Sequence, residues 1–163
     1  MGIRYYAYAF NSDQTEVALA DPERLLSADP LADAWGFPRG AVRAVTNFEQ
    51  SVPKSEMLYL DKAWSGLQRI TASTNRNDPA RPAARMFEGQ VTPYESGWIA
   101  WVRAIMPEEV PGIATDLASL VQEDWHKKVE VDDHDYINDY LERSAEFTAE
   151  LSSTSCGFVY MIG

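Results

Sequence analysis

The side chains that most readily do chemistry are scarce in this chain, and their spacing limits what they can do. Histidine occurs twice, at His126 and His134, and cysteine once, at Cys156. A structural zinc centre takes four nitrogen or sulfur ligands, so neither a His-rich nor a Cys-based centre can be built. A mixed site joining His134 to Asp132, Asp133 or Asp135 is the arrangement left. The run Asp132-Asp133-His134-Asp135 lacks the glycine and the spacing of a calcium loop. It reads better as the acidic start of a helix, where the dipole favours negative charge. No metal and no cofactor is expected.

Nucleophilic chemistry fares no better. A serine nucleophile wants the strained turn of a G-x-S-x-G motif, and Glu95-Ser96-Gly97 is too small a fragment of one. Cys156 stands at the entrance to a terminal strand, a place where a thiol is usually buried and inert. The nine glycines are scattered and form no phosphate-binding loop. No catalytic residue is assigned. Asp61, Lys62 and Trp64 form the one polar and aromatic group that admits both a structural and a functional role. In the structural reading Asp61 caps a helix, Trp64 packs and Lys62 is solvated. In the functional reading Asp61 and Trp64 border a ligand pocket.

The elements around these residues follow from period and punctuation. Ile3 to Phe10 reads as a buried strand, ended by Asn11-Ser12-Asp13. A short helix over Thr15–Ala20 follows, and another opens at Asp21-Pro22-Glu23 with aspartate as cap and proline at the first position. Asp29 to Ser55 is irregular, with Trp35 and Phe37 pinning it to the body. Met57 to Leu60 is an apolar lead-in to a helix capped by Asp61, whose stripe is Ala63, Trp64, Leu67 and Ile70. Asn75 to Pro82 is a loop, and Gly97 to Ile105 is the expected interior strand. Pro107-Glu108-Glu109 opens a helix whose regular turns are delayed by Pro111. Asp135 to Ser152 is a long helix, and Cys156 to Ile162 a closing strand. The expectation is one α+β domain, a mainly antiparallel sheet that includes both terminal strands and is packed by about four helices.

The long helix concentrates the charge. Ile137, Tyr140, Leu141, Ser144, Thr148 and Leu151 share one face, while Asp135, Asp139, Glu142, Glu146 and Glu150 share the opposite one. The net charge is −11, and nearly all of it lies after residue 107, where Lys127, Lys128 and Arg143 face 13 acids. Such a chain repels phosphate backbones and anionic lipid, which argues against nucleic-acid and membrane partners. No apolar run approaches a bilayer span, no signal-peptide core develops after Arg4, and a lone thiol suits a reducing compartment. A cytoplasmic location is expected.

Leu58-Tyr59-Leu60-Asp61-Lys62-Ala63-Trp64-Ser65-Gly66-Leu67 resembles the "LDKAWHGL" signature of the YfbM-like bacterial proteins, domain-of-unknown-function family 1877. Met106-Pro107-Glu108-Glu109-Val110 resembles that family's "TPEEV" helix start, and the acidic helix closing in Phe158-Val159-Tyr160 is similar to its ending. The resemblance covers roughly residues 57–163 and implies an α+β fold but no reaction. Ser65 stands where the family's signature often carries histidine, so no catalytic role transfers there. The function expected from charge and size is a non-enzymatic protein-binding module of immunity or antitoxin type. Its acidic stripe would meet a basic protein partner. The alternative is a small hydrolase or transferase with a tryptophan-lined cleft near Asp61.

Overall fold

The computed structural model describes residues 2–38, 46, 48–73, 75–127, 130 and 133–163. Its main sheet has four strands: β1 (Tyr5–Phe10), β2 (Met57–Asp61), β5 (Trp101–Ile105) and β6 (Gly157–Ile162). They run in the order β2-β1-β6-β5 with every neighbour antiparallel. The first and last strands therefore pair with each other at the centre of the sheet. Both are buried almost throughout, which is why both read as continuous apolar runs rather than alternating ones.

Alternation sorts their side chains into two layers. Tyr5, Ala7, Leu58, Leu60, Phe158, Tyr160 and Ile162 face the main core, which is closed by α3 (Trp64–Thr71), α4 (Val110–Gln122) and α5 (His134–Thr154). Tyr6, Tyr8, Phe10, Met57 and Val159 face the other way, towards the short helices α1 (Thr15–Ala20) and α2 (Pro30–Trp35). The buried tyrosines find acceptors, as a buried hydroxyl must. Tyr5 donates to the Met86 carbonyl at 2.9 Å and Tyr160 to that of Glu88 at 2.9 Å. These bonds fasten the 3-10 turn Pro82–Met86 and the segment after it to the sheet. On the outside of that turn, Arg81 forks between Asp116 of α4 and Glu123.

Four expectations need correction. Gly97 to Ile105 is not one interior strand. β5 is an edge strand, and Trp101 pairs with Ile162, the last residue of β6. Beyond that point the main sheet offers no partner, so β4 (Gly97–Ile99) folds instead onto β3 (Thr92–Tyr94) as a separate hairpin. Asp61 does not cap a helix: it ends β2 with a left-handed φ of 45°, and α3 starts at Trp64 behind Ala63. The segment from Asp29 to Ser55 holds α2, capped by Asp29, whose Oδ1 accepts from the Ala32 amide at 3.1 Å. Gly36 closes that helix at φ 69°. Finally, Asp21 stands before a 3-10 turn (Pro22–Leu25), and its side chain makes no capping bond.

Candidate functional site

Asp61 is the centre of a polar junction between the two layers. Residues Tyr59 and Asp61 sit two apart on β2, so both point towards the α2 side. Arg4, one residue before β1, is held in register by a reciprocal backbone pair with Gly163 at 2.9 Å in each direction. Its Nε donates to Asp61 Oδ1 at 3.0 Å, and its guanidinium lies 5.1 Å from the centre of the Trp35 ring, a cation–π distance. Trp35 Nε1 donates to the Tyr59 hydroxyl at 3.0 Å, which in turn donates to Asp61 Oδ1 at 2.9 Å. From the opposite layer, the Tyr136 hydroxyl of α5 donates to Asp61 Oδ2 at 2.9 Å. One carboxylate thus ties together β1, β2, α2 and α5.

The titration behaviour of these groups follows from that geometry. Burial pushes the Asp61 carboxyl up, but the hydrogen bonds from Tyr136, Tyr59 and Arg4 outweigh it and hold it below the usual carboxylate range. Burial raises Tyr59 well above an ordinary phenol, against the bond it accepts from Trp35 and with help from the Asp61 charge. Tyr136 is raised by burial and by its bond to Asp61. At neutral pH the circuit is one anion, one cation and two neutral donors. It can hold and orient, and its groups titrate away from neutrality.

Arg4, Trp35, Tyr59 and Asp61 of the junction line a cleft of about 900 Å³, together with Lys62, Tyr140 and Arg143. A smaller hollow of about 240 Å³ shares Tyr59 and Arg143 and continues along β2 to Glu146 and Glu150. The cleft therefore runs into the outer side of α5. There Asp135, Asp139, Glu142, Glu146 and Glu150 are all exposed. Arg143 Nη2 pairs with Asp139 at 2.8 Å and lies 4.9 Å from the Tyr140 ring. Glu142 accepts from Asn138 at 2.8 Å.

Of the two residues expected to border a pocket, Asp61 does so and Trp64 is not among the cleft's lining residues. Trp64 opens α3 against the main core and its Nε1 donates to the Ile3 carbonyl at 3.3 Å. Trp35 takes the place expected of it. Lys62 is exposed at the cleft's rim. His126 and His134 do come together, with ring centres 4.6 Å apart and Trp125 against both. Among the described residues no group of three potential ligands forms around them, and Asp132 lies outside the described residues. Asp133 caps α5 by accepting from the Tyr136 amide at 3.0 Å. Cys156 is half-buried, with its Sγ 3.5 Å from Asn11 Oδ1 and 3.6 Å from the Thr154 carbonyl. Ser96 lies exposed in the turn of the β3–β4 hairpin.

Sequence reasoning missed Arg4, Tyr59, Tyr136 and Tyr140 as members of the site. A signal was present: Tyr59 and Asp61 at strand spacing, and Tyr136, Tyr140 and Arg143 at helical spacing. Among the described residues no helix is long and apolar enough to cross a membrane. Comparison with protein-family models, curated proteins and solved structures returned no match.

Proposed function

We propose that this chain is a non-enzymatic protein-binding module of immunity or antitoxin type, whose basic partner docks over the outer face of α5 and the adjoining cleft. The observation that carries the reading is their continuity. Tyr140 and Arg143 of α5 line the cleft, Glu146 and Glu150 line its extension, and the carboxylates of the stripe stand in solvent around them. A partner's basic patch is steered by that field, and one of its side chains is seated in the cleft. Rim charges of this kind act mainly on the association rate.

A second reading, a small hydrolase or transferase using Asp61, draws support from the cleft's volume, which is that of a small-molecule site. The directions of the pKa shifts weigh against it. A general acid or base working at neutral pH is tuned towards neutrality, whereas Asp61 moves down and Tyr59 and Tyr136 move up. Two more readings belong to the same proposal. A cytoplasmic location is supported by the single free thiol, and kinship with the YfbM-like proteins by the stretch Leu58–Leu67.

The test is kinetic. With the partner identified by co-purification from the source cells, stopped-flow association is measured across ionic strengths. The variant Asp139→Lys, Glu142→Lys, Glu146→Lys is measured alongside. The native rate should fall as salt rises, and the variant should associate at least about tenfold more slowly at low salt. Unchanged rate and affinity in the variant would reduce the stripe to a solvated face.

A further inference from the structure

Four polar side chains are buried among the described residues: Asp33, Thr71, Ser144 and Thr148. The three hydroxyls return their hydrogen bonds to carbonyls of their own helices, Thr71 to Leu67, Ser144 to Tyr140 and Thr148 to Ser144. Asp33 of α2 is different. It is a carboxylate only 6% exposed, and its one side-chain bond is that which Oδ2 accepts from the Tyr8 hydroxyl at 2.9 Å. No cation among the described residues pairs with it. A carboxylate offers about four lone-pair sites, and a buried charge without a counter-ion is costly to hold.

The fold leaves the second oxygen in reach of solvent. Among the described residues no buried side-chain oxygen or nitrogen lacks a partner, so the unpartnered Oδ1 is wetted. Asp33 lines a hollow of about 500 Å³ on the α2 side of the sheet, walled by Leu25, Leu26, Ala32 and Val52 together with Tyr8. These walls are anchored. Leu26 and Val52 pack on the cluster of Tyr6, Tyr8, Ala34 and Met57. Ser51 holds the neighbouring Val52 in place by donating its amide and its hydroxyl to the Asp33 carbonyl, at 2.8 and 3.1 Å. The charged residues in the lining are Asp33 and the exposed Asp29, both acidic. The larger cleft is lined by lysines and arginines, and this hollow, among the described residues, by none.

We infer that this hollow is a subsite for a primary alkylammonium group, whose charged head meets Asp33 Oδ1 and whose aliphatic stem lies along Leu25, Leu26 and Val52. Three features select that chemistry. Tyr8 occupies Oδ2, and burial, with the Asp33 bond and charge, raises its phenol above the ordinary value, so it stays a donor. The fork of a guanidinium wants both carboxylate oxygens, whereas the point charge of an ammonium is satisfied by one. A calcium ion takes about six to eight oxygens, and among the described residues no group of three potential ligands forms. A quaternary ammonium has no N–H to give Oδ1 and is held by a cage of aromatic rings, while Tyr8 is the one ring in the described lining. The ammonium gives one N–H to Oδ1 and leaves the others to water.

None of the described lining residues belongs to α5, so the subsite is separable from the acidic stripe of that helix. A free aliphatic amine and the lysine side chain of a protein share this chemistry.

Amide chemical shifts of the full chain, followed by nuclear magnetic resonance while n-butylammonium chloride is added, test this, with n-butanol and sodium chloride as controls. Saturable shifts centred on Tyr8, residues 25–33 and Val52 are expected, with a dissociation constant on the order of millimolar. The alcohol, which has the stem without the charge, should bind at least about tenfold more weakly. That comparison needs no variant. Asp33→Asn keeps an acceptor for Tyr8 and removes the charge; it should weaken butylammonium binding by about tenfold or more with the near-ultraviolet dichroism unchanged. Nα-acetyl-lysine methylamide separates the two sources. Binding as tight as that of butylammonium assigns the subsite to a protein's lysine, and its exclusion assigns the subsite to a free amine. The absence of saturable shifts, an equal response to n-butanol, or unchanged affinity in a folded Asp33→Asn protein overturns the inference.

Discussion

Replacing Asp61 with alanine removes one carboxylate and strands every group that donates to it. Arg4 loses its partner with its side chain only 12% exposed, and the hydroxyls of Tyr59 and Tyr136 lose their acceptor. A hydrogen bond to a charged group is worth about 1.5–3 kcal/mol net, and removing one partner of a buried ion pair costs about 3–5 kcal/mol. The Asp61 side chain is 28% exposed and opens onto the cleft, so water recovers part of this and the lower end applies. The expected loss is about 3 kcal/mol, a large share of a stability of about 5–15 kcal/mol. Asp61→Asn keeps the shape and an acceptor oxygen and tolerates the left-handed backbone, so its loss should be nearer 1 kcal/mol. Urea unfolding of the three proteins gives both numbers. Acid titration adds a sign. The folded carboxyl lies below its unfolded value, so its contribution is complete above an unfolded pKa of about 3.9 and disappears as the pH falls through the folded one. The stability gap between native protein and Asp61→Asn should therefore be constant near neutrality and close in acid. A loss under about 1 kcal/mol for alanine, or a gap that widens in acid, would refute the assignment of Asp61 as the junction.

Two further changes test the sheet. Gly157 starts β6 where an added Cβ would stand 2.5 Å from the Ile105 carbonyl oxygen and closer still to the Phe10 ring; Gly157→Ala should cost about 1–3 kcal/mol by overpacking, read by thermal or urea unfolding. Tyr5→Phe leaves the Met86 carbonyl without its donor in a fully buried site, and should cost about 1–2 kcal/mol while leaving the denaturant slope unchanged.

The sequence made the sheet legible where a strand is buried on both sides. β1 and β6 are runs of aromatic and aliphatic residues bounded by polar turns, and both lie where expected. α5 was legible because one face is apolar and the other acidic over five turns, although Phe147, buried between Ser144 and Leu151, belonged on that face by the same spacing. α2 was missed despite carrying Asp29-Pro30 at its start and Gly36 at its end. The tandem of prolines and glycines around it reads as punctuation, and six residues are too few for a period to emerge. The break at Ala100 was not legible at all. Residues 97–105 are apolar apart from Arg103, and only the length of β6 decides which of them find a partner. The site suffered most from this kind of non-locality. Arg4 and Tyr136 meet Asp61 from 57 and 75 residues away, and no local pattern announces such a pairing.

The misreading of Asp61 bears on function as well as fold. An aspartate three residues before an amphipathic run is a reasonable cap, and as a cap it would be spent on α3. Its left-handed φ instead turns the chain sharply between the end of β2 and α3. The side chain stays on the α2 side of the sheet, while Trp64 goes to the other. That division makes Asp61 reachable from both layers and sets the cleft where α2, β2 and α5 converge. The same convergence separates the two functional readings with one substitution. Asp61→Asn removes the charge that a catalytic carboxylate would need and leaves the carboxylates of α5 in place. If Asp61 takes part in bond making, turnover is lost in a protein that still folds. If the cleft only seats a partner's side chain, the association rate, which the α5 stripe governs, stays at its native value. The rate of dissociation then carries whatever the junction contributes.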